Sequence, residues 1–175
     1  RHQGILMALA FLLLVCAFAN VGFASPLPQN DASRLSELNT LAARSTSTNP
    51  AKALEYGNEA LKLALALKNP QAQSVALLNI GLAHLQLGNL SQTKYALDGS
   101  LIAAQQAGYR KGQGDAHNFL GTYFWEEGLY DQAHKHYTQA VAIRAELKDR
   151  ISMSKSINNL GQVQRKIGNY EKAID

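Results

Sequence analysis

Residues 119–141 read FLGTYFWEEGLYDQAHKHYTQAV, and this stretch decides the fold. Phe119, Leu120, Tyr123 and Phe124 fall at helical spacing, the pattern stops at Gly128, and Tyr130, Ala133, Tyr137, Ala140 and Val141 start it again. A glycine just past the last periodic residue takes the left-handed conformation that ends a helix without a steric cost. Two helices joined by a turn are therefore expected here.

The unit recurs along the chain. Gly81, Gly121 and Gly161 are spaced by 40, and Gly88, Gly128 and Gly168 follow in the same register. Ala53, Ala133 and Ala173 form a further column with Thr93 in the remaining slot. Asn49, Asn89 and Asn169 form another, broken by Leu129, and Ala60, Ser100 and Ala140 a third. A fixed period of this size marks a repeat array. Gly88, Gly128 and Gly168 are expected to be inter-helix turns. The series at 81, 121 and 161 lies inside helices, where glycine costs about 0.5–1 kcal/mol relative to alanine. Close approach of the paired helix, with Ala133 and Ala140 opposite, is the expected compensation.

At this point the residues resemble a known family. Ile80-Gly81, Leu120-Gly121 and Leu160-Gly161 resemble the Leu-Gly of the first helix of the tetratricopeptide (TPR) repeat. Tyr130-Asp131-Gln132-Ala133 and Tyr170-Glu171-Lys172-Ala173 resemble the opening of its second helix, and Tyr137 with Ala140 continues the match. The resemblance implies an all-α fold, a right-handed α-solenoid of helix-turn-helix repeats. It divides the chain into a degenerate repeat at 32–70, repeats at 71–110 and 111–150, and a truncated one at 151–175. Two departures stand out: the period of 40 against the usual 34 or so, and Leu41 where the first unit should carry glycine. HEAT and armadillo arrays have repeats of similar length but lack this glycine and alanine pattern. Asn158-Asn159-Leu160-Gly161 is similar to the signature of TPR subfamilies with longer repeats.

The first 24 residues read as a signal peptide. Arg1 and His2 precede an uncharged apolar run from Ile5 to Phe18, and Gly22-Phe23-Ala24 offers a cleavage site. Asn20 and Gly22 interrupt the run before it reaches the roughly 20 residues of a membrane span. Residues 25–31, with Pro26 and Pro28, read as a linker. An exported, periplasmic location follows, with the membrane involved only through this segment or a downstream anchor. Cys16, the one cysteine, lies in the apolar run, so neither disulfides nor thiolate metal sites are expected after cleavage. The fourth repeat breaks off within its second helix, which reads as the N-terminal part of a longer protein. Exported segments of this kind resemble the input regions of bacterial signalling proteins with histidine kinase or diguanylate cyclase outputs. A self-contained periplasmic adaptor is the alternative.

The residues offer no catalytic constellation, metal site or cofactor cradle. His134 and His136 are two apart and point to different helix faces. His84 and His117 stand at packing positions, and Gly112-Gln113-Gly114 reads as a connector between helices, since no strand precedes it. The 17 Lys and Arg against 13 Asp and Glu are dispersed, which excludes a nucleic-acid footprint. What the family resemblance implies is a protein or peptide partner in a groove lined by the first helix of each unit. The register gives Leu78, Leu82, Leu85 and Gln86, then Asn118, Thr122, Trp125 and Glu126, then Asn158, Gln162, Arg165 and Lys166, so the groove runs from apolar to polar and basic. Asn39, Asn79 and Asn159 form a neighbouring amide column. Two readings of these amides stand: they bond a bound peptide's backbone, or they satisfy neighbouring helices. Trp125 is likewise either an anchor for the ligand or a packing residue. The candidate site is Asn79, Asn118, Thr122, Trp125, Asn158, Asn159, Gln162, Arg165 and Lys166.

Overall fold

The computed structural model describes the backbone of residues 29–174 and the side chains of 30–168; the signal segment and most of the linker expected at 1–31 lie outside the described residues. The chain divides into two units, Arg1–Ala32 and Ser33–Asp175. Of the first, only the opening of the first helix is described.

Among the described residues seven helices follow one another: α1 (Gln29–Ser45), α2 (Pro50–Ala66), α3 (Pro70–Gln86), α4 (Leu90–Gln106), α5 (Arg110–Glu126), α6 (Tyr130–Glu146) and α7 (Arg150–Ile174). The connections after α2 repeat one device. Lys68, Gly88, Gly108, Gly128 and Lys148 have φ of 49°, 73°, 61°, 73° and 56°. Each is the left-handed residue of a helix end. After it the chain turns back with a bond such as Asn89 N to His84 O at 2.9 Å or Leu129 N to Phe124 O at 2.8 Å, which occupies a carbonyl the helix leaves open. Three helices, α2, α3 and α7, are also capped by a side chain, while α4, α5 and α6 are not. Asn49 Oδ1 accepts from Lys52 N at 3.1 Å, Asn69 Oδ1 from Ala72 N at 3.0 Å, and Asp149 Oδ1 from Ser152 N at 3.0 Å. Pro50 and Pro70 open α2 and α3, where a missing N–H costs nothing.

Two expectations are corrected here. Gly168 does not turn: α7 runs through it for 25 residues, and Gly168 is not among the glycines with positive φ. At Gly88 and Gly128 a whole returning helix packs back and offsets the backbone bonds given up at the turn. Gly112 and Gly114 are not a connector either, for both lie inside α5. A Cβ at Gly114 would come within 3.2 Å of Ile143 Cγ2, and one at Gly112 would collide with the Tyr109 ring.

Packing is between neighbours. Consecutive helices from α2 to α7 contact each other, and α3 also touches α5, so the first helices of successive pairs adjoin. One core cluster gathers Leu35, Leu38, Ala60, Ala64 and Ala76, and another Leu97, Leu120, Tyr123, Phe124, Ala133, Tyr137 and Val163. Within a pair the contact is not the small-on-small approach expected. A Cβ on Gly121 would lie 2.7 Å from Cδ1 of Tyr137, and one on Gly81 would lie 2.8 Å from Cδ2 of Leu97. The glycine is thus a socket for a large side chain, while Ala133 and Ala140 are fully buried on the helix that carries Tyr137. In the first pair Gly57 occupies the position of Leu97 and Tyr137, and its missing Cβ makes room for Ile80 from α3, at 2.8 Å.

Candidate functional site

Because α3, α5 and α7 adjoin through the same register, their equivalent residues line up. Leu85, Gln86, Leu90, Thr122 and Glu126 border a depression of about 350 Å³. Trp125, Gln162, Arg165 and Lys166 border another of about 260 Å³. Both are made the same way, since Leu85, Trp125 and Arg165 are one column, Gln86, Glu126 and Lys166 a second, and Thr122 and Gln162 a third.

Four of the nine candidate residues thus meet at one depression, and Thr122 borders the other. Trp125 is half-buried, with its ring 5.2 Å from that of Tyr130 in an edge-on arrangement, which fixes one face and leaves the rest toward the depression. Gln162, Arg165 and Lys166 are exposed. Among the described residues neither cation makes an ion pair, whereas Arg34, Lys94, Arg110, Lys111 and Arg144 all do. Thr122 Oγ1 accepts from Tyr137 Oη at 3.1 Å, so it is partly spoken for. Asn158 is exposed and Asn159 half-buried.

Asn79 and Asn118 depart from the expected groove. Asn79 is 5% exposed and its Nδ2 donates to Asn39 O at 3.1 Å, tying α3 to α1. Asn118 is 7% exposed. Its Oδ1 accepts from Arg144 Nη1 at 3.1 Å and from Ser156 Oγ at 2.7 Å. Both amides serve neighbouring helices, because a buried amide is costly unless bonded and the nearest partners belong to the chain. Arg144 is the centre of that knot. It also donates to Asp115 Oδ1 at 2.8 Å, Ser152 O at 3.0 Å and Ser156 Oγ at 2.5 Å, so a single buried guanidinium joins α5, α6 and α7. The reading of the sequence missed it. The signal was present, for Arg144 falls in the column of Ala64 and Ala104, where a charge has no business unless a buried carboxylate meets it.

The histidines take packing roles. His117 Nδ1 lies 3.1 Å from His136 Nδ1, and the His136 ring stacks on Phe124 at 5.1 Å. Burial, aided by His136 and then by Arg110, pushes His117 down to about 4. Burial also lowers His136. The two facing nitrogens are within hydrogen-bond distance of each other, so the pair closes on itself inside the helix contact. No group of three or more metal-ligating side chains occurs among the described residues.

Comparison with known proteins decides the family. The tetratricopeptide repeat profile matches residues 71–146 and again 112–175. The chain belongs to the tetratricopeptide repeat family. The expected all-α solenoid is thereby shown. The crystal structure of BtubC (BKLC) from P. vanneervenii has the same fold, with a TM-score of 0.69 at 20% identity over 85% of this chain and 62% of that one. This TPR chain therefore spans less than two thirds of that protein's length. No curated protein gives a significant match. TPR arrays bind protein partners, and this chain is a TPR protein-interaction module.

Proposed function

We propose that the module holds an extended or helical peptide bearing a carboxylate in the strip formed by Thr122, Trp125, Gln162, Arg165 and Lys166. One observation carries this reading: two cations that make no ion pair among the described residues stand beside an indole and an amide around a single depression. An unpaired exposed arginine forms charge-assisted, bidentate bonds with a carboxylate. The indole supplies the apolar area that turns such a contact into an anchor, and Gln162 offers both a donor and an acceptor to a peptide backbone.

The exported setting belongs to the same proposal. The charged start, apolar run and small-residue site within residues 1–24 support export, and the 40-residue period with Asn158-Asn159-Leu160-Gly161 supports a sensory or scaffold region of a bacterial signalling protein. Trp125 is the only tryptophan, so its fluorescence reports on the strip directly. Titration with a set of peptides that differ only in Glu against Gln should shift the emission for the Glu members alone. In the double variant Arg165→Ala/Lys166→Ala their affinity should fall about tenfold or more, the cost of two lost charge-assisted contacts. Equal affinity for Glu and Gln peptides overturns the proposal.

A further inference from the structure

The 40-residue register exposes a vacancy on the side of the array where the second helices lie. In the third repeat the His136 ring, on α6, fills the space against α5, stacked on Phe124 at 5.1 Å with an interplanar angle of 27° and 5.3 Å from the His117 ring. Subtracting 40 from each number gives the same place in the second repeat: Ala96 for His136, His84 for Phe124, Leu77 for His117. The ring-bearing side chain is gone there. In its place the structure has a cleft of about 340 Å³ that includes Leu61, Leu77, Ile80, His84, Tyr95 and Ala96 in its walls. That size is at the lower end of small-molecule sites, roughly 300–1,000 Å³.

We infer that this cleft binds a free, planar aromatic molecule of about indole size, seated where His136 sits in the next repeat. Three features favour a flat ring over other apolar ligands. The aromatic position on α3 is retained as His84, whose ring is held by a contact of 3.4 Å between its Nδ1 and Asn89 Nδ2, and it offers the face that Phe124 offers to His136. Leu61, Leu77 and Ile80 form apolar walls. Tyr95 borders the cleft while 82% exposed, so a second aromatic face is available at its mouth. Asn58 and Gln92 at the edge supply hydrogen-bonding groups for a ring N–H. The occupied third repeat serves as the internal template for the empty second one. The peptide strip on α5 and α7 plays no part.

Indole is the probe, followed by saturation-transfer NMR on the full chain. Saturable binding with a dissociation constant of about 1 mM or tighter is expected. Ala96→His rebuilds the third-repeat arrangement inside the cleft and should weaken binding about tenfold or more. Tyr95→Ala, at an exposed position that leaves the core intact, should weaken it about threefold or more and covers the case in which Ala96→His does not fold. Arg165→Ala/Lys166→Ala should leave it unchanged, which separates this inference from the peptide strip. Absence of saturable binding to the wild type, or equal binding by both cleft variants, overturns it. So does N-acetyl-tryptophanamide binding far more tightly than indole, which assigns the cleft to a partner protein's side chain.

Discussion

At the scale of single residues, the glycines that share one column do different work. Gly121 receives the Tyr137 ring, and the ring is 3% exposed and cannot move aside. Gly161 would meet nothing within 4 Å of an added Cβ. Gly121→Ala should therefore cost about 1–3 kcal/mol by overpacking. Gly161→Ala should instead stabilise by about 0.5–1 kcal/mol, the helix-interior penalty of glycine recovered. Thermal melts followed by circular dichroism should move in opposite directions; a drop for both would mean that α7 is packed on that side as well. The sequence could show that the two glycines are equivalent in register, but not that their surroundings differ. His117 gives a second test. Its folded value of about 4 lies below the ordinary 6.5, so the unfolded chain takes up the proton first. Stability is complete above pH 6.5 and is lost as pH falls toward 4. The loss is about 1–2 kcal/mol, discounted because the ring is only half-buried. Urea melts at pH 7 and pH 4.5 should show it, and His117→Phe should abolish most of the difference.

Among the elements, the helix ends carry the clearest test. Lys68 and Lys148 hold a left-handed conformation that costs a residue with a Cβ about 1–2 kcal/mol. Glycine holds the equivalent positions at 88, 108 and 128. Lys148→Gly should thus raise stability by about 0.5–1 kcal/mol, the gain being reduced by glycine's larger unfolded-state entropy. A chemical denaturation midpoint that falls would show that the lysine side chain makes a contact worth more than the strain. The helices themselves were legible because apolar spacing and glycine stops are local signals. The lysine-headed turns were not, since nothing in a lysine announces a positive φ; only the spacing of 20 between turns reveals them. The strip residues Trp125, Gln162, Arg165 and Lys166 could be placed by register alone. Asn79 and Asn118 could not, because whether an amide faces solvent or a neighbouring backbone depends on contacts 26 to 40 residues away.

Across the whole array, stability passes from neighbour to neighbour, so a single cross-repeat tie governs how far unfolding spreads. Arg144 is that tie for the third and fourth repeats. Arg144→Ala removes the donor shared by Asn118, Ser152 and Ser156 and leaves the partly exposed Asp115 with its 3.5 Å contact to Lys111, a loss of about 1–3 kcal/mol. Hydrogen exchange should show protection lost over α7 and the end of α6 while α3 and α4 keep theirs. Uniform loss along the chain would mean that the repeats melt as one unit. The turns bear on the array in a different way. From α2 to α7 they are nearly alike at every helix end, whether within a pair or between pairs, so over that stretch the backbone alone does not distinguish an odd-numbered helix from an even-numbered one. In the second and third repeats the sockets at Gly81 and Gly121, with their knobs Leu97 and Tyr137, carry that parity. The glycine column is thus the array's counting rule: it permits growth or loss by forty residues and forbids a slip by twenty.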